Sequence, residues 1–286
     1  MPRHHPDDVL FIRAVSGLQH YRVIMSFSTP KEIALLAVQA GVNKSRTPLS
    51  SLLILGFLGG AFIAIGFMLD LHVISRLPAD WGSFGVLLGA MMFPLGLILT
   101  VLAGAELLTG NMMVMTIAAL SKKISWAALV RNWLWVTIGN FLGSVAVAWF
   151  FGHLLGMTEG AFLKSTLAVA AAKTSASGVQ AFISGIGCNW LVCLAIWLGM
   201  ASKDVTGKII GIWFPVMAFV AIGFQHVVAN MFIIPAAIFA GQGSWLAYLS
   251  NFIAVFSGNA VGGAIFVALI YYIAYRPDTQ INSNRA

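Results

Sequence analysis

Six long apolar runs organise the chain, near residues 50–70, 83–120, 133–156, 177–201, 208–241 and 244–275, and the short stretches between them hold most of the charge. Roughly 20 apolar residues carry a helix across a bilayer, so each run predicts a span. The second and fifth are too long for one ordinary helix. Between Gly82 and Leu120 the only charged residue is Glu106. Each long run is therefore either two tightly turned helices or one helix broken midway. The pattern differs ahead of the first run. Thr29-Pro30 followed by Lys31 and Glu32 reads as a helix start with proline in the first turn. ALLAVQAG then suits a short amphipathic helix on the membrane surface, near 29–41. Residues 1–24 are unlike the rest of the chain, and Met25 opens a more typical start, so they are expected to reflect an upstream start codon or to be a floppy extension.

Composition supports the spans. Only 9% of the 286 residues are charged and 59% are hydrophobic, whereas a soluble domain carries about 25% charged residues. The expected class is an all-α integral membrane protein. The formal net charge of +7 is no nucleic-acid signal, because the basic residues alternate with apolar runs. They decide the topology instead. With six spans and both ends inside, thirteen fall in inside loops: Arg3, Arg13, Arg22, Lys31, Lys44, Arg46, Lys122, Lys123, Arg131, Lys203, Lys208, Arg276 and Arg285. Arg76, Lys164 and Lys173 fall outside. That bias satisfies the positive-inside rule. Splitting one long run puts the termini on opposite sides, and splitting both moves Lys203 and Lys208 outside. Each long run is thus expected to cross once, with an interruption. The expected layout is a cytoplasmic segment 1–49, a transport domain 50–275 and a cytoplasmic tail 276–286, in the inner (plasma) membrane.

An internal repeat sharpens this. A shift of 119 residues sets Gly104 on Gly223, Glu106 on Gln225, Asn111 on Asn230, Asn132 on Asn251, Gly139 on Gly258, Asn140 on Asn259 and Gly143 on Gly262. Spans 2–3 thereby duplicate spans 5–6, and spans 1 and 4 complete two halves, about 50–156 and 177–275. Three spans per half is odd, so the halves are inverted. Inverted repeats with broken helices are a recurring plan of transporters, and the breaks mark the substrate path. The breaks align as AELLTGN (105–111) and FQHVVAN (224–230). Backbone freed there must line a cavity or be buried in protein, and half-helix N-termini favour an anion.

The candidates follow from that placement. His226 is an ionisable ring at mid-depth and reads as functional, against packing alone. Glu106 supports its break or carries a proton; its repeat mate Gln225 is neutral. Asn111 and Asn230 are expected to hold the breaks. Asn189 either hydrogen-bonds a loop or substrate, or simply packs. Lys173 either snorkels or concentrates anions at a pore mouth. The GxxxG pairs Gly139/Gly143 and Gly258/Gly262 read as helix contacts. Cys188 and Cys193, five apart in one apolar run, have neither metal nor redox spacing, and no metal or other cofactor is expected.

GAELLTGN (104–111), GNFLGS (139–144), GIGCNWLVCLAIW (185–197) and FPVMAFVAIGFQHVVANMFIIP (214–235) together resemble the formate/nitrite transporter family, most closely its formate transporter branch. The resemblance runs from about Ser28 to Tyr275. It implies an aquaporin-like six-span protomer, a homopentamer, and two apolar constrictions around a central histidine. By motif position it implies that Phe93, Leu107 and Phe219 form the constrictions. It makes His226 the pore histidine, with Thr109, Asn189 and Lys173 as polar pore residues. Enteric formate channels carry an acid at the position of Gln225, so a relay through that acid is absent here.

The expected function is a channel or transporter for small monovalent anions, formate foremost, moving with protons. Nitrite, hydrosulfide and lactate are the alternatives. An embedded enzyme needs a paired base and nucleophile or a metal cluster, and the two breaks offer only His226 and Glu106. A structural or receptor role leaves two matched polar breaks unexplained. A water or glycerol channel is expected to carry NPA triplets, where this chain has TGN and VAN.

Overall fold

A computed structural model describes residues 27–276. The expectations for residues 1–24, for Arg3, Arg13, Arg22 and Arg285, and for the tail past Arg276 lie outside those residues. Among the described residues the regular structure is helical. α1 is Pro30–Ser45, α2 Leu49–Ile74, α3 Gly82–Met92, α4 Leu95–Leu99 and α5 Leu108–Leu120. α6 is Trp126–Val147, α7 Leu163–Thr174, α8 Gly178–Ala201, α9 Val205–Ile222, α10 Val227–Phe239, α11 Trp245–Gly263 and α12 Ile270–Tyr275. π-helical turns prolong α4 to Gly104, α6 to Leu154 and α11 to Leu269, where α12 continues it. Among the described residues, six helical runs are long and apolar enough to cross a bilayer. α5 and α10, at 13 residues each, are half-helices of about 20 Å.

The first helix begins as its sequence demands. The Thr29 hydroxyl accepts from the Glu32 N–H, and the Glu32 carboxylate accepts from the Thr29 N–H at 2.7 Å, a capping box. The Thr29 N–H and then the Thr29 hydroxyl, both donating to that carboxylate, hold the Glu32 pKa below the usual carboxylate range. α1 runs beyond the expected 29–41. It rests on protein: Ile33, Ala34, Ala37 and Val38 are buried in one cluster with Met113, Val114 and Ile117 of α5. The Ser28 N–H donates to Ala201 O at 2.7 Å. That bond fixes the chain ahead of α1 to the end of α8.

Close helix crossings build each half. α6 lies on α2 so tightly that a Cβ on Gly143 would overlap the Phe57 carbonyl oxygen. α11 repeats this on α8, where a Cβ on Gly258 would meet the Phe182 carbonyl. The GxxxG pairs thus bring backbones together, as small residues do between membrane helices. One boundary expectation is corrected. The first span continues to Ile74 rather than ending near 70, so Asp70 lies well inside it, a second acid within an apolar span besides Glu106. α7, ahead of the fourth span, escaped the hydropathy pattern. At 12 residues with alanine, threonine and lysine, it is too short and polar to read as a span.

Candidate functional site

Both broken helices end in the same way. Gly104 and Gly223 take φ of +88° and +87°, a conformation that costs a side chain but not glycine. The chain then runs extended through Leu107 and His226 before α5 and α10 begin. Their first amides need partners in the protein interior. The Leu108 N–H donates to Asn140 Oδ1 and the Val227 N–H to Asn259 Oδ1, both at 2.9 Å. Asn140 Nδ2 donates to the Gly56 carbonyl (2.7 Å) and the Glu106 carbonyl (2.8 Å). Asn259 Nδ2 donates to Gly185 O (2.8 Å) and Gln225 O (3.1 Å). Sequence reasoning aligned these two asparagines without giving them this work.

The expected supports form a second layer. Asn111 Nδ2 donates to Glu106 Oε2 (2.6 Å) and Asn132 Oδ1 (2.9 Å). Asn230 Nδ2 donates to Gln225 Oε1 and Asn251 Oδ1, both at 2.9 Å. Asn111 and Asn230 therefore bind side chains, and the main chain of each break is held by Asn140 and Asn259. Asn189 joins the halves: its Nδ2 donates to Asn259 O at 2.7 Å and Thr109 O at 3.2 Å. Cys188 and Cys193 are free and buried.

His226 occupies the centre with 2% of its surface exposed. Its Nδ1 accepts from the Ala229 N–H at 3.1 Å, capping α10. An amide can only donate, so Nδ1 is an acceptor and Nε2 carries the hydrogen of the neutral ring. Nε2 lies 2.9 Å from Thr109 Oγ1 in the opposite half. The ring stacks on Phe219 at 5.8 Å, and Phe219 meets Phe93 edge-on at 5.6 Å.

Three cavities follow one another along this line. One of about 210 Å³ is lined by Lys44, Leu97, Thr100, Gly104, Leu107 and Asn111, among others. One of about 10 Å³ is bounded by Phe93, Leu97, Leu107, Phe219 and His226. One of about 30 Å³ is lined by Phe67, Lys173, Phe219, Phe224, His226 and Asn230. The central space is about that of one water. Apolar side chains bound it on both sides: it shares Leu97 and Leu107 with the first cavity and Phe219 with the third, and Phe93 packs on Phe219. Leu97 is a wall residue that sequence reasoning missed.

A lysine stands at each mouth. Lys44 Nζ pairs with Glu106 Oε1 at 2.7 Å. Lys173 Nζ donates to the carbonyls of Gly223 (3.4 Å) and Phe224 (3.3 Å). The Lys173 residue keeps some exposed surface, yet protein encloses its ammonium end, and that desolvation holds its pKa below the ordinary lysine range. Lys44 and Lys173 are repeat mates. A shift of 129 sets Lys44 on Lys173 and Gly56 on Gly185. The shift of 119 holds only beyond the first span of each half, so this pairing was hidden. The symmetry breaks at the partner: Lys44 meets a carboxylate, and Gln225 is the neutral counterpart of Glu106.

A helical membrane protein whose two inverted three-span halves each send a broken helix to a shared, apolar-walled centre is a channel or transporter for small solutes. Residues 31–273 match the description "Formate/nitrite transporter", and the chain belongs to that family. It is 60% identical over 252 residues to the uncharacterized transporter YrhG of Bacillus subtilis (strain 168), covering 88% of this chain and 95% of that protein. It is 52% identical over 252 residues to the formate channel BtFdhC of Bacillus thuringiensis, covering 88% and 97%. A solved structure described as a pentameric formate channel with formate bound superposes with a TM-score of 0.67 at 30% identity, over 80% of this chain and 98% of that one.

Proposed function

We propose that this protein moves small monovalent anions, formate foremost, across the plasma membrane together with protons. The observation that carries the reading is His226, among the described residues the one titratable side chain lining a chamber with apolar walls on both sides. A bare anion pays heavily to shed water and enter such a space. An anion that meets a proton there becomes neutral and passes the second wall without that penalty. Nε2–H of His226 and the Thr109 hydroxyl are the polar groups placed to receive the carboxylate. Histidine changes charge near physiological pH, so it suits the exchange.

The positive-inside bias assigns the Lys44 mouth to the cytoplasm and the Lys173 mouth to the outside. On this reading the transport domain spans 50–275, and both termini are cytoplasmic. The relative described as pentameric supports a homopentamer with one pore in each protomer. The relative described as a formate channel, at 52% identity, supports formate over nitrite and hydrosulfide.

The direct test is flux of formate, nitrite and hydrosulfide into proteoliposomes at acid and neutral pH, with the external proton concentration recorded. One proton disappearing with each formate supports the reading. Equal flux of all three without proton movement would sink it in favour of a broad anion pore.

The asymmetry at the mouths makes a further prediction. Glu106→Gln installs the residue found in the other half, so the Asn111 bond survives and only the charge on Lys44 is freed. Anions arriving from the cytoplasmic side should then saturate transport at a concentration several-fold lower, roughly three- to tenfold. Efflux kinetics with varied internal formate check this; an unchanged half-saturating concentration refutes it.

A further inference from the structure

One buried charge has no part in the transport scheme. Asp70 of α2 is 5% exposed, and its carboxylate makes no hydrogen bond among the described residues. Burying an ionised carboxylate without partners is costly, and such groups inside membrane segments are functional by default. The space it fills is shaped for it. On α3, Gly89 is the neighbour of the carboxylate, and a Cβ there would overlap Asp70 Oδ1. Asp70 lies one helical turn beyond Phe67, which lines the outer cavity with Lys173. Lys173 is the charge that acts on it.

The other charged and titratable groups nearby are engaged elsewhere. α3 and α4 carry none. On α2 itself, His72 Nε2 lies 2.7 Å from Met157 O, and its ring stacks on Phe162. The π turn after α6 turns His153 to Glu159. Lys208 of α9 donates to Gly199 O, and His226 of α10 is held by Thr109 and Ala229. α7 supplies Lys173, with Lys164 in its first turn.

We propose that Asp70 is a proton-binding site of the outer vestibule that sets how strongly Lys173 attracts an incoming anion. This rests on the transport reading. With Asp70 ionised, its negative charge offsets the lysine and repels a carboxylate from outside. With Asp70 protonated, the lysine charge stands alone and the vestibule gathers anions. The device operates before the histidine and acts on capture, whereas His226 acts on passage. External acid thereby favours uptake when protons are available to accompany the anion.

The two effects separate in kinetics. Uptake is measured in cells expressing the full chain, over a range of formate concentration and external pH. In the wild type the half-saturating formate concentration falls as external pH falls. Asp70→Asn, close in shape, should hold that concentration low and flat, roughly tenfold below wild type at neutral pH. The pH dependence of the maximal rate should remain. A variant that follows the wild-type curve overturns the proposal. Lys173→Gln is the second arm: with the lysine gone the half-saturating concentration should rise at every external pH yet still fall with acid, because Asp70 continues to titrate; loss of that pH shift would make the lysine the titrating group and overturns the proposal even if Asp70→Asn fails to assemble. A wild type that takes up neither formate, nitrite nor hydrosulfide fails at the transport reading itself, which distinguishes that failure from this one.

Discussion

His226→Asn should leave the protein folded and conducting but flatten its response to pH. The reason is that His226 has two jobs on one ring: it caps α10, and it exchanges a proton at Nδ1, the ring nitrogen that carries no hydrogen in the neutral form. Its Nδ1 caps α10 by accepting from the Ala229 N–H, and its Nε2 faces Thr109 across the halves. Asparagine is among the best N-cap residues, so the first job survives. It does not titrate, so the second is lost. Wild-type formate flux should change by up to roughly tenfold per pH unit on the limb set by one titrating group, and His226→Asn should change little over the same range. His226→Ala loses both jobs. Its melting temperature in detergent should fall as well, by the equivalent of about 1 kcal/mol for the cap alone. Comparing the two variants separates architecture from proton handling. A His226→Asn protein with the full wild-type pH profile would remove the histidine from the mechanism and leave it as a helix cap.

Much of this was legible in the chain, for identifiable reasons. The spans follow from apolar length, and the breaks follow from glycine and asparagine recurring at one spacing, with Glu106 set on Gln225 between them. Gly104 and Gly223 showed that spacing because a positive φ tolerates little else. Other features were hidden because they depend on distances between remote positions. Lys44 looked like one more inside-loop cation, but α1 sits on α5 and delivers it to Glu106. Asn140 and Asn259 were matched in the repeat, yet each lies 32 residues from the amide it binds. Asp70 stood at the predicted edge of a span, where an acid attracts no notice. Leu97 resembles every other leucine in an apolar run. The walls are visible only when two halves meet, and a one-dimensional pattern does not show which apolar side chains face a pore rather than lipid.

Asn140→Leu should be the most damaging change of comparable size in the fold. The side chain is fully buried and satisfies three main-chain groups at once: Leu108 N–H, Gly56 C=O and Glu106 C=O. Leucine fills much of the same space but leaves all three without partners. Each buried orphan costs about 1–3 kcal/mol, so the loss is roughly 3–9 kcal/mol, a large share of a typical stability of about 5–15 kcal/mol. The expected result is collapse of the purified protein's thermal transition in detergent and loss of transport. Asn140→Asp tests the account more finely. Its carboxylate still accepts from Leu108 N–H but faces two carbonyls, so the damage should be intermediate only if a proton restores a donor. Stability of that variant should then improve as pH falls. Asn259→Leu removes the same three bonds in the other half, to Val227 N–H, Gly185 C=O and Gln225 C=O. If the inverted repeat is energetic as well as geometric, the two leucine variants lose comparable stability. A mild effect at either site would mean that water or a shifted backbone satisfies the break, and that the asparagine pair is dispensable there.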